Sequence, residues 1–125
     1  MARILIADDE DAIRSLVARA LSQDGHQVTT ARDGAEALDL LTGEHDAFEL
    51  LLTDIRMPIM DGIALALAAA RDHPRLAILL MTGYADQRER AHGLDSLIHD
   101  VIAKPFTLAE IRQTVAAALA TGRRR

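Results

Sequence analysis

The chain has no cysteine, which removes disulfides and thiolate metal sites from consideration and fits a reducing compartment. It also lacks any long apolar run: Leu50 to Leu52 and Ile78 to Met81 are far shorter than the roughly 20 residues that cross a bilayer. No basic segment followed by an apolar stretch opens it. Export and membrane insertion are therefore not expected, and a cytoplasmic location is. Positive charge is in deficit as well. The net charge is −5, so a nucleic-acid partner is not expected, because affinity for phosphate chains comes chiefly from Lys and Arg displacing counterions. Arg123, Arg124 and Arg125 form a local basic end, which reads as a solvated helix terminus. The histidines at 26, 45, 73, 92 and 99 have neither HExxH nor paired-ligand spacing and are read as surface or packing residues. No composition shift, linker or internal repeat divides the 125 residues, so a single domain without an output domain is expected.

What the chain does have is an alternation of short apolar runs with amphipathic stretches, the pattern of successive βα units and a parallel sheet. The runs Ile4 to Ala7, Leu50 to Thr53, Ala77 to Met81 and Val101 to Ala103 predict strands buried on both faces, and the more polar Gln27 to Ala31 predicts an edge strand. Ala12, Ile13, Leu16, Val17, Ala20 and Leu21 share one face of a first helix that should stop near Gly25. Asp33 with Glu36, and Thr107 with Glu110, are N-terminal capping pairs for the second and the last helix, and the last should bury Leu108, Ile111, Val115 and Leu119. Ile63 to Arg71 predicts a third helix ending ahead of Pro74, and Asp86 to His92 a short fourth ending at Gly93.

In an open parallel α/β sheet, function collects where the strands end and hand the chain to loops. At those ends stand Asp8, Asp9 and Glu10 after the first strand, Asp54 after the third, Thr82 and Gly83 after the fourth, and Lys104 and Pro105 after the fifth. Carboxylates converging at one edge repel one another unless a cation neutralises them. Oxygen ligands of this kind suit Mg²⁺, which keeps several waters and bridges carboxylates to phosphate. Lys104 adds a point charge for a phosphate oxygen and Thr82 a neutral donor. Taken singly, Asp8, Asp9 and Asp54 could each be a helix or turn cap. Their conjunction points to phosphoryl transfer.

Four blocks carry a family resemblance: Ile4 to Glu10 (ILIADDE), Leu51 to Gly62 (LLTDIRMPIMDG), Leu80 to Tyr84 (LMTGY) and Ile102 to Phe106 (IAKPF). In that order, each at a strand end, they resemble the motifs of response-regulator receiver domains of the CheY-like superfamily. The resemblance implies a doubly wound, flavodoxin-like (βα)₅ fold with strand order 2-1-3-4-5 and helices on both faces. It implies Asp54 as phosphoacceptor, Asp9 as a direct Mg²⁺ ligand, Asp8 acting on the metal through water, and the Arg56 backbone carbonyl as a further ligand. Thr82 and Lys104 would grip the phosphoryl oxygens, and the Lys104–Pro105 bond would be cis. Such a protein catalyses only its own phosphorylation and dephosphorylation.

One departure concerns the switch. Many receivers carry an aromatic residue three positions before the lysine, and here that position is Val101. Tyr84, two residues after Thr82, then becomes the ring expected to reorient, with Gly83 in the moving loop and Arg56 near the path of attacking water. The phosphodonor implied is a histidine kinase or a histidine phosphotransfer protein. The output partner would bind the face of the fourth helix, fifth strand and fifth helix, the protein itself being a monomer or weak homodimer. Leu52 to Pro58 and Ala70 to Arg75 resemble CpdR-type single-domain receivers of alphaproteobacterial cell-cycle control, which implies protease machinery as one output. Two other classes compete. An aspartyl-phosphate phosphatase usually needs a second acid two residues after its nucleophile, where this chain has Arg56. A phosphorylation-independent pseudo-receiver would not need its acids, Thr82 and Lys104 intact.

Overall fold

The computed structural model describes residues 2–43, 48–83, 91 and 93–121. Within them the chain runs β1 (Arg3–Ala7), α1 (Asp11–Gln23), β2 (Gln27–Ala31), α2 (Gly34–Gly43), β3 (Leu50–Asp54), α3 (Gly62–Asp72), β4 (Ala77–Thr82), β5 (Asp100–Ala103) and α4 (Leu108–Thr121). All strand pairs are parallel and the sheet order is β2-β1-β3-β4-β5. The polar strand β2 is at one edge, as its composition predicts; β5, expected to be buried on both faces, forms the other edge, with Asp100 and Ala103 exposed because only β4 pairs with it. The predicted fourth helix, Asp86 to His92, lies outside the described residues except for Ala91, which is buried.

Because strand side chains alternate, the continuous apolar runs feed two cores at once. Ile4, Ile6, Leu50, Leu52, Leu79 and Met81 pack with Val17 and Leu21 of α1 and Ile111 and Val115 of α4. Leu5, Leu51, Ile78 and Leu80 pack on the other side with Leu41 of α2 and Leu65, Ala66 and Ala69 of α3. Fully burying a leucine or isoleucine side chain contributes about 2 kcal/mol, so these two layers dominate stability.

The helix starts are held by short-range hydrogen bonds. Glu36 N–H donates to Asp33 Oδ1 at 2.8 Å, and Thr107 and Glu110 form a reciprocal box at 2.7 and 3.0 Å. α3 begins at a cap absent from the sequence reading: Asp61 Oδ1 accepts from Ala64 N–H at 2.9 Å. Gly25 ends the α1 region at φ 93°, in the left-handed region glycine enters freely. Several predicted core positions differ: Ala12 is exposed at the start of α1, and Leu108 is half-buried at the start of α4. Leu16 is 51 % exposed, because α1 packs through Val17, Ala20 and Leu21 and Leu16 falls at the margin of that stripe. Leu119 is only half-buried, Ala118 taking its place in the core.

The register decides the site. Ala7 lies opposite Ala31 and Thr53, Asp54 opposite Met81, and Thr82 opposite Ala103. The strands therefore end in step, and the residues that follow them emerge along one edge.

Candidate phosphoacceptor site

Asp54 is the last residue of β3, a strand hydrogen-bonded on both sides, and its side chain is 8 % exposed. The chain beyond it is pinned at once: Ile55 N–H donates to the Met81 carbonyl at 3.0 Å, and Gly62 N–H returns to the Ile55 carbonyl at 2.7 Å. Gly62 needs its missing side chain, since a Cβ there would collide with the Asp54 carbonyl oxygen and lie 2.9 Å from the Asp54 carbonyl carbon. Between them, Ile59 is 83 % exposed at φ 71°, a costly conformation for a β-branched residue.

Asp8, just past β1, is fully buried. Its N–H donates to the Ala31 carbonyl at 3.1 Å, and its Oδ1 accepts from Glu10 N–H at 2.9 Å. Arg14 of α1 donates to its backbone carbonyl at 2.8 Å. Across the edge, the Lys104–Pro105 peptide is cis, as the family likeness implies, and Lys104 N–H donates to the Thr82 carbonyl at 2.7 Å. The Lys104 ammonium donates to Asp8 Oδ2 at 3.1 Å and to Glu10 Oε1 at 3.2 Å, and it lies 3.3 Å from Asp54 Oδ1.

A cavity of about 630 Å³ opens over this group, walled by Asp9, Glu10, Ile13, Asp54, Arg56, Gly83, Lys104 and Pro105. Burial pushes the Asp54 carboxyl up to about 6; Lys104 opposes the rise, and Asp8 and Asp9 add to it. Burial also raises Asp8, against the Glu10 N–H and Lys104. For Lys104, burial acts to lower the pKa, but Asp54 and Asp8 outweigh it and the net shift is upward. Such an edge demands positive charge.

Of the predicted site residues, Asp8, Asp54 and Lys104 are in direct contact, and Asp9, Arg56 and Gly83 line the cavity around them. Thr82 closes β4 at 2 % exposure, one residue beyond the partner of Asp54. Val101 lies in β5 opposite Leu80, half-buried against the core. Tyr84 is outside the described residues, as is Arg123 to Arg125. Glu10 is the contributor the motif comparison did not assign. Among the described residues, the carboxylates whose oxygens gather within 4.8 Å of one another are Asp8, Glu10 and Asp54, while Asp9 sits exposed on the cavity wall. Three carboxylate oxygens at that spacing, without a nitrogen or sulfur donor, fit a hard divalent cation.

Residues 4–116 match the family described as the response regulator receiver domain. The chain belongs to this family. Response regulator MprA of Mycobacterium avium (strain 104) is 37 % identical over 109 residues, which cover 87 % of this chain and 47 % of that protein. This receiver chain therefore spans about half the length of the curated relatives it matches. Among solved structures, a response regulator receiver domain protein from Clostridium thermocellum superposes with TM-score 0.88 at 25 % identity, covering 97 % of this chain and 96 % of that one. TrrA from Thermotoga maritima, solved in complex with Mg(2+)-BeF, gives TM-score 0.83 at 29 % identity, covering 94 % and 98 %. No helix among the described residues is long and apolar enough to cross a membrane.

Proposed function

We propose that this receiver takes a phosphoryl group on Asp54 in a Mg²⁺-dependent reaction and thereby changes a protein-binding surface. The observation that carries the reading is the Asp54 carboxylate, fixed at the end of the central strand and facing both a buried second acid and a lysine ammonium 3.3 Å away. Mg²⁺, when held by Asp54 with Asp8 and its acidic neighbours, supplies charge neutralisation for the phosphoryl oxygens. The Mg(2+)-BeF complex of TrrA supports the same use of the equivalent edge here.

The chain's own residues do the rest. An Asp54 oxygen attacks phosphorus as the bond to the donor breaks, forming an acyl phosphate, and it must be ionised to do so. Burial raises its pKa to about 6 in the metal-free site, and a divalent cation together with Lys104 favours the ionised form that attack requires. Lys104 meets the charge that spreads over the transferred oxygens, and Thr82 donates to one of them. The donor is the phosphohistidine of a kinase or phosphotransfer protein, and water reverses the modification. The protein thus acts only on itself. Its output is a protein contact through the region of β5, α4 and the segment that precedes β5, with protease machinery among the outputs that the sequence likeness names.

Incubation with acetyl phosphate and Mg²⁺ should add one phosphoryl mass to the protein, and Asp54→Asn should abolish it at nearly constant side-chain volume. Equal labelling of the variant at that position would overturn the assignment.

A further inference from the structure

The Lys104 ammonium has three N–H bonds and three carboxylates around it: Asp8 at 3.1 Å, Glu10 at 3.2 Å and Asp54 at 3.3 Å. One oxygen from each of the same three carboxylates lies within 4.8 Å of the others, so a divalent ion drawn to this group would compete with the ammonium for Asp8 and Asp54. Once Asp8 and Asp54 turn their oxygens to a metal, Lys104 loses two of its three partners, and a lysine side chain left unpaired regains its rotamer freedom in water.

We infer that Glu10 is a positioning residue, the carboxylate that retains Lys104 at the crevice after Asp8 and Asp54 have been given up. Its backbone is suited to this. Glu10 is the N-cap of α1, with its N–H on Asp8 Oδ1 at 2.9 Å and its carbonyl accepting from Arg14 N–H at 2.9 Å. Its side chain therefore swings from a fixed root, and at 59 % exposure it has room to follow the ammonium outward. Asp8 is fully buried and has no such room. The division of labour is between acids that serve the metal and one that serves the lysine. This rests on the phosphoacceptor reading above.

The test uses the whole chain, unphosphorylated, with Mg²⁺ as the probe. In saturating Mg²⁺ the Lys104 side-chain ¹⁵N signal should show slowed hydrogen exchange in the native protein, lose it in Glu10→Gln, and keep it in Glu10→Asp, which preserves the charge. Mg²⁺ affinity should fall about threefold in Glu10→Gln, the size of one partly exposed charge contact, because displaced Lys104 then has no acceptor. In a Lys104→Met background the same change should alter Mg²⁺ affinity less than about twofold. An equal loss in both backgrounds would make Glu10 a metal ligand and overturn the inference, as would a Lys104 signal indifferent to Glu10→Gln. Neither readout depends on phosphorylation. A native protein that binds Mg²⁺ but takes no label from acetyl phosphate would instead defeat the phosphoacceptor reading.

Discussion

The two ends of the sheet hold cavities of nearly equal size and opposite character. At the carboxyl end, about 630 Å³ is bounded by Asp9, Glu10, Asp54 and Lys104, over a floor in which Asp8 and Thr82 are buried. At the amino end, about 600 Å³ is bounded by Phe48, Pro74, Leu76 and Leu119 with Glu49, His73 and Arg75. Charges there stay in water: the Arg71–Asp72 pair has side chains 76 % and 50 % exposed, and Arg3 stacks over the Phe48 ring at 5.0 Å. Volume therefore does not distinguish the ends. What does, among the described residues, is the desolvation of like charges, which costs free energy and is retained at the carboxyl end.

Glycine substitutions probe that asymmetry most strongly. Gly62→Ala drives a methyl group into the backbone of Asp54 and should cost about 2–4 kcal/mol, read as a lowered denaturation midpoint. At the C-terminal end of α2, an added Cβ on Gly43 meets nothing within 4 Å, and Gly43→Ala should be neutral or stabilising by up to about 1 kcal/mol.

Acid stability sharpens the contrast next. Asp54 is raised from 3.8 to about 6 in the folded protein, so the native state binds the extra proton across that interval. Without a divalent cation, stability should consequently fall as pH rises from about 4 to about 6, by roughly 1–3 kcal/mol, with Asp8 acting in the same sense. The raised Lys104 value acts only at alkaline pH. Thermal melts of Asp54→Asn should lose most of this slope, and saturating Mg²⁺ should raise the native Tm more at neutral pH than at pH 5. A native slope of the opposite sign would contradict the burial argument. Smaller again, Asp9→Ala should weaken Mg²⁺ binding about tenfold in a titration, if Asp9 ligates as the family likeness implies. At the bottom of the scale, Asp72→Asn at the amino end should leave both Mg²⁺ affinity and labelling of Asp54 unchanged.

Most of the scaffold was legible because its signals are local. The apolar runs, the Asp33–Glu36 and Thr107–Glu110 capping pairs and the stop at Gly25 all operate within a few residues. The strand ends were legible for the same reason, and with them Asp8, Asp54, Thr82 and Lys104. Glu10 was visible as a third acid, but its contact with Lys104 spans 94 positions and two intervening strands, and no local pattern encodes which carboxylate an ammonium will choose. Leu16 misled because a helical stripe has margins, and only packing shows which one the sheet covers.

The placement of Asp54 in β3 also bears on timing. β3 is hydrogen-bonded to β1 on one side and β4 on the other, with every residue buried, so its amides reach solvent only when neighbouring strands separate. Hydrogen exchange there should proceed on the slow clock of global opening, whether or not Asp54 is modified. The acid is thus a stationary reference point. On the proposed reading, a phosphoryl group on Asp54 would therefore leave the β3 amides as protected as before, and equal exchange with and without it is the expected result.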